Sequence, residues 1–141
     1  MSVSSYQAVV AWAGDEFFIG TPPSGHAHVI DTKGDRKAAP SPLEMLLVSV
    51  AACTAADVIS ILQKKRQDVT KYRVEVSGTR AEDHPRKFIG FHLNHIVHGR
   101  SVSAKAVADA IDLSETKYCS VAATVRPTAE ITTSFEIIEI S

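Results

Sequence analysis

The sequence is short of cysteine, of aromatic residues and of net charge: two cysteines, 6% aromatics and a balance of -1 in 141 residues. With no basic excess, nothing in the composition favours a nucleic acid or an acidic membrane surface as partner. The first 18 residues lack a basic segment ahead of a long apolar run, and their short apolar run is broken by Gly14, Asp15 and Glu16, so no secretion signal is expected. The longest apolar candidate, Leu43 to Leu62, contains Glu44 and Asp57 and reads as amphipathic; no membrane span is expected, and a cytoplasmic location follows. Also missing are the dinucleotide glycine fingerprint, a Walker-type loop and a GxSxG elbow, which leaves hydride transfer, nucleotide hydrolysis and serine hydrolysis without support. Six histidines are present, but the His26/His28 pair is weak, His92 and His98 share a face that His95 does not, and neither a metal nor a cofactor is expected.

Scarcity makes the two cysteines informative. In a reducing compartment they would not form a permanent staple, so if they pair, the pairing is catalytic or regulatory. Cys53 and Cys119 stand 66 residues apart, which excludes a local CxxC redox motif or a zinc knuckle and requires tertiary structure for any encounter.

The length suits one folding unit over residues 1–141. Tyr6–Trp12 and Glu16–Ile19 read as strands about a Gly14-Asp15 turn, and a third strand is expected over His26–Asp31 after the Pro22-Pro23-Ser24-Gly25 punctuation. The loop of residues 32–42 leads to Ser41-Pro42-Leu43-Glu44, an N-cap, a first-turn proline and a capping-box glutamate that start a long helix running to about Lys64. Lys64, Lys65 and Arg66 suit a solvated helix end. Alternation from Tyr72 and again over Lys87–Val97, with Ile89, Phe91, Leu93 and Val97 on one side, predicts two longer antiparallel strands. A short amphipathic helix over Ser103–Leu113, a turn or helix from Ser114 that carries Cys119 near its start or middle, and a strand over Ile131–Ile140 complete the order β-β-β-α-β-β-α-α-β, an α+β fold. One long, nearly apolar helix and six strands leave that helix partly uncovered in a single copy, which points to oligomerisation.

Cys53 lies on or beside the apolar side of the long helix, where a plain core cysteine is as good a reading as a reactive one. It is too far from its own helix N-terminus to gain acidity there, so a cation must come from elsewhere, while Asp57 one turn on would push its pKa up. Cys119 has Lys117 two residues before it, near enough in a turn. Glu44 reads either as a capping carboxylate or as an orienting group. Nine residues separate it from Cys53, half a circle and about 13 Å along one straight helix, so joint action requires another subunit or an irregular helix.

The run Ala39-Pro-Ser-Pro-Leu-Glu-Met-Leu-Leu-Val-Ser-Val-Ala-Ala-Cys53, followed far downstream by Tyr118-Cys-Ser-Val, resembles the OsmC/Ohr family of osmotically inducible and organic-hydroperoxide-resistance proteins. With SILQKKRQDV and DLSETKYCSV it looks most like an uncharacterised OsmC-like bacterial subgroup. The resemblance implies an intertwined homodimer, each long central helix wrapped by curved antiparallel sheet, with two sites at the interface. It implies a peroxidatic Cys53, a resolving Cys119 and a Glu44 that positions a cation, hence a cysteine-based peroxidase of the antioxidant, oxidative-stress class acting on organic hydroperoxides. An external dithiol, such as a lipoyl-bearing protein, would re-reduce it. The chain departs from the family in its arginine: none precedes Arg36, and the family register falls on Lys33, eleven residues before Glu44. Lysine lacks the planar fork of arginine. Lys33 and Arg36 are therefore the two candidates for the site cation, and the alternative to an enzyme is a non-catalytic stress-associated or small-ligand-binding dimer.

Overall fold

A computed structural model describes residues 3–141, and two compact units, residues 1–46 and 47–141, divide the chain within its longest helix. The first unit holds an antiparallel meander of β1 (Val9–Trp12), β2 (Phe17–Thr21) and β3 (His28–Asp31) in that order. Gly14 at φ 96° and Asp15 at φ 49° make the turn, closed by the Ala13 N–H to the Phe17 carbonyl at 2.9 Å. β1 starts at Val9 rather than Tyr6, because its last partner on β2 is Thr21 and the following Pro22 has no N–H to continue the ladder. β3 likewise starts at His28 rather than His26, since Gly25 and Ala27 spend their N–H groups on the turn that precedes it.

β3 ends on Asp31, a buried carboxylate that organises the following loop. It accepts from the Lys33 N–H at 2.9 Å, the Ala38 N–H at 3.0 Å, and the Arg36 Nε at 2.9 Å. Arg36 also stacks over Phe17, 4.0 Å from the ring centroid. The guanidinium hydrogen bond, the largest influence, holds the Asp31 carboxyl well below the usual carboxylate range.

Helix α1 spans Pro42–Lys64, as its capping box predicts: the Ser41 N–H donates to Glu44 Oε1 at 2.9 Å, and the Glu44 N–H to Ser41 Oγ at 3.1 Å. It stops where Arg66 turns to φ 56° and the Gln67 N–H returns to the Leu62 carbonyl at 3.0 Å. Contrary to the amphipathic reading, α1 is apolar nearly all round, and less than a quarter of its apolar stretch is buried. By length and composition it could cross a membrane. Its second half is nevertheless a core element: Val58 and Leu62, fully buried, pack with other residues of the second unit.

That second unit is built on β4 (Asp68–Arg80), β5 (Phe88–Arg100) and β6 (Glu130–Glu139). β4 and β5 form a long antiparallel pair, but β6 runs parallel to β5, so the sheet is mixed rather than antiparallel throughout. Parallel neighbours require a crossover. Here it is supplied by α2 (Ala104–Leu113), a π-helical turn over Ser114–Tyr118 and α3 (Ser120–Val125). Ser103 caps α2 by accepting the Ala106 N–H at 3.2 Å.

Along β5, Phe91, Leu93, His95 and Val97 face inward and are buried, whereas Ile89, expected among them, is 45% exposed near the strand end. Val97 joins Val58 and Leu62 of α1 with Val107, Ala110 and Ile111 of α2 in one apolar cluster, each fully buried aliphatic contributing about 1.5–3 kcal/mol. Gly99 has a packing role: a Cβ there would run into the Asp68 carbonyl and the Val102 side chain.

Candidate functional site

The second unit brings the two cysteines together. Cys53 is half-buried in the middle of α1, and Cys119 is buried at the junction of the π-helical turn and α3, near enough to Cys53 for that thiol to bear on its titration. The junction is held by the Cys119 N–H donating to the Ser114 carbonyl at 2.8 Å. Cys119 Sγ in turn accepts the Ala122 N–H at 3.3 Å, making the residue the N-cap of α3. Burial pushes the Cys119 thiol up to about 11; the Ala122 N–H works against this, and Cys53 and Glu115 add to it.

Around the pair runs a polar network that sequence reading missed. Thr54, adjacent to Cys53 and fully buried, shares a 2.8 Å hydrogen bond with Ser114, whose hydroxyl donates to Asp57 Oδ2 at 2.8 Å. Asp57, expected from the sequence only as a neighbour unfavourable to a thiolate, is thus engaged by Ser114. The Thr54 hydroxyl also lies 3.3 Å from Glu115 Oε1. Arg126, just past α3, donates through one Nη2 to the Glu115 carbonyl at 2.7 Å and to its Oε2 at 3.1 Å. Burial raises the Glu115 pKa, with Arg126 and Thr54 opposing the shift. Glu115 and Arg126 also line a cleft of about 760 Å³ with Ile111, Asp112, Thr133 and Phe135. The only sequence signal for this cluster was the density of hydroxyls and charges in Ser114–Lys117; its partners on α1 lie some sixty residues upstream.

The other anticipated residues lie in the first unit. Glu44 is committed to its capping box. Arg36 is held by the buried Asp31 and by Asp15, while Lys33 touches Asp31 through its backbone N–H. Among the described residues no three His, Cys, Asp or Glu side chains are grouped to hold a metal ion.

A three-stranded meander, a long helix and a mixed sheet, with one thiol in mid-helix and a second at a helix cap in the same unit, define an α+β protein. The model of the OsmC-like protein family matches residues 33–134, and the chain belongs to that family. Protein YhfA of Escherichia coli K12 is 45% identical over 133 residues, 94% of this chain and 98% of YhfA. A crystal structure of a hypothetical protein from Aquifex aeolicus, 29% identical, superposes with a TM-score of 0.87 over 99% of this chain and all of the other. An organic hydroperoxide resistance protein OsmC from Legionella pneumophila is 11% identical, with a TM-score of 0.71 over 96% of this chain and 99% of its own; that likeness shows the shared fold.

Proposed function

We propose that the protein is a cytoplasmic, homodimeric, thiol-dependent peroxidase that reduces organic hydroperoxides. The observation that carries this reading is the meeting of Cys53 and Cys119 across 66 residues of sequence, inside a family that includes proteins named for organic hydroperoxide resistance. The Cys53 thiolate attacks the distal oxygen of ROOH; the O–O bond breaks, ROH leaves with a proton, and Cys53 becomes a sulfenic acid. Cys119 attacks that sulfur, a disulfide forms and water departs. An external dithiol, such as a lipoyl-bearing protein, reduces the disulfide and is itself oxidised. No metal or organic cofactor takes part. Activation of Cys53 requires a cation, for which the sequence offers Lys33 and Arg36 as candidates.

The alanines that flank Cys53 along α1, Ala51 and Ala52 before it and Ala55 and Ala56 after Thr54, favour an alkyl over an unsubstituted peroxide. The test is to titrate the reduced protein with cumene or tert-butyl hydroperoxide while counting free thiols. Two thiols lost per equivalent of peroxide support the reading, and thiols that survive excess peroxide sink it. Replacing Cys119 with Ser should trap one sulfenic acid on Cys53, and Cys53→Ser should abolish the reaction. A second reading, a non-catalytic dimer that retains the fold, draws on the engagement of Arg36 by Asp31 and Asp15 and of Glu44 by its helix cap. It predicts no thiol loss.

A further inference from the structure

Arg126 is only partly engaged by the fold. Its Nη2 donates to the Glu115 carbonyl at 2.7 Å and to Glu115 Oε2 at 3.1 Å, and among the described residues Nε and Nη1 have no partner. The Arg126 side chain is 44% exposed, against 14% for Glu115, and both stand in the wall of the 760 Å³ cleft. To the same wall α2 contributes Ile111, and β6 contributes Ile131 and Phe135, whose ring is left 37% exposed there. An apolar lining with a few polar groups is the makeup of a small-ligand site, and the volume lies in the range such sites occupy. Two carboxyl groups, Asp112 and Glu115, share the cleft with Arg126, so the sign of the ligand depends on their protonation. Asp57, Ser114, Thr54 and Glu115 are joined by contacts of 2.8, 2.8 and 3.3 Å, all of which run through the hydroxyls of Ser114 and Thr54. Each hydroxyl has a single proton to donate, so the third bond takes its proton from a carboxyl. Glu115 is the one whose pKa is raised by burial. A proton on its Oε1, donated to Thr54, cancels its charge and leaves Arg126 without a counterion. Asp112 is exposed, where water weakens its opposition to an anion.

We propose that this cleft binds an amphipathic monocarboxylate, its head on Nε and Nη1 of Arg126 and its alkyl chain over Ile111, Ile131 and Phe135. A guanidinium meets a carboxylate through charge-assisted hydrogen bonds, which gives the head its specificity. The alkyl chain adds affinity by leaving water, by up to about fourfold per buried methylene. The ligand and the Glu115 proton stabilise one another, because each is favoured when the other leaves Arg126 with one negative partner instead of two. Affinity therefore falls as pH rises. The titratable and charged groups around Glu115 are Asp57 on α1, Asp112 on α2, Cys119 at the end of its own turn and Arg126. Neither thiol belongs to the lining, and the site does not rest on the peroxidase reading.

The experiment is isothermal titration of the full chain with octanoate, decanoate and dodecanoate, each below its micelle concentration. Affinity should rise with chain length. Decanol and decylamine, which carry the same tail without the anion, should bind at least about tenfold more weakly than decanoate. Arg126→Met should weaken decanoate binding by about tenfold or more, Arg126→Lys by less, and Asp112→Asn should tighten it. Between pH 6 and pH 8 the affinity of the parent should fall, while that of Glu115→Gln, neutral throughout, should stay level. No measurable binding of the three acids overturns the proposal. So does decanol or decylamine binding as tightly as decanoate, which would make the cleft a site for an apolar tail or a cation. An Arg126→Met variant that binds decanoate like the parent places the acid elsewhere, such as on the apolar face of α1, and overturns it too. A parental affinity that is level or rises from pH 6 to pH 8 would show Glu115 already charged and exclude the anionic ligand. If Arg126→Met does not fold, Asp112→Asn and the decanol comparison decide. Peroxide-inert thiols would reject the peroxidase reading and leave the binding result standing.

Discussion

Ala122 donates its backbone N–H to the sulfur of Cys119 at 3.3 Å, so the buried thiol is also the N-cap of α3. A sulfur is a weak acceptor and a hydroxyl a better one. Cys119→Ser should therefore keep the cap, whereas Cys119→Ala should lose it at a cost of about 1 kcal/mol relative to serine. Urea denaturation of the two reduced variants checks the ordering; alanine as the more stable of the two would show that the cap contributes nothing.

On α1, Val48, Ala52 and Ala56 follow one another at intervals of four and are all exposed, Val48 by 64%. Four-residue spacing puts them in one row, and small apolar residues allow another helix to approach closely. On a free chain, Ala52→Arg would be close to neutral, within about 0.5 kcal/mol. On a dimer that buries this row it should split the assembly. The expected outcome is that the 15.2 kDa chain sediments as a dimer and the Ala52→Arg variant as a monomer or an aggregate. A parent protein that stays monomeric at low micromolar concentration would remove the dimer from the proposal.

Local chemistry made much of the fold legible. The Ser41-Pro42-Leu43-Glu44 signature located the start of α1, Gly14-Asp15 located the first hairpin, and alternation located β4 and β5. The direction of β6 was not legible, because a strand's sequence has the same period of two whichever way its neighbour runs. Nor was the cap role of Cys119, which depends on where a π-helical turn gives way to α3. The family resemblance singled out Cys53 and Cys119, but nothing in the sequence singled out Thr54, Ser114, Glu115 and Arg126, since each looks like an ordinary helix or turn residue until α1 is packed against the crossover.

His95 gives the fold a specific acid sensitivity. It is fully buried on β5, shares a 2.7 Å hydrogen bond with the Tyr72 hydroxyl through Nδ1, and has no partner at Nε2 among the described residues. Burial lowers its pKa from 6.5 to about 4. Between these values the unfolded chain binds a proton that the folded chain refuses, so stability is fully present above pH 6.5 and declines as pH falls toward 4, by about 3 kcal/mol at the acid end. His95→Gln, which retains a partner for Tyr72, should flatten that decline. Urea midpoints at pH 7 and pH 5 for both proteins check it; equal slopes would show that other groups set the acid limb.

Lys33 and Arg36 are separable by what each does for Asp31. Arg36 supplies side-chain hydrogen bonds to a carboxylate whose side chain is 0% exposed, whereas Lys33 supplies only its backbone N–H, which survives any substitution except proline. Arg36→Met should therefore destabilise the fold, and Lys33→Met should not. The pH dependence carries the sign: with its folded value depressed below 3.8, Asp31 contributes stability that is present above about pH 4 and lost on acidification. The deficit of Arg36→Met should accordingly be greatest at neutral pH and shrink in acid. Cys53 alkylation, followed against pH in the reduced protein, then shows which side chain serves the thiol. If Lys33 is the activating cation, Lys33→Met slows both Cys53 alkylation and peroxide consumption while leaving the urea midpoint unchanged. If Arg36 has that role, the reactivity change arrives together with the loss of stability. Should neither substitution nor the two combined alter Cys53 reactivity, this loop serves only Asp31 and the fold, and the non-catalytic reading takes precedence.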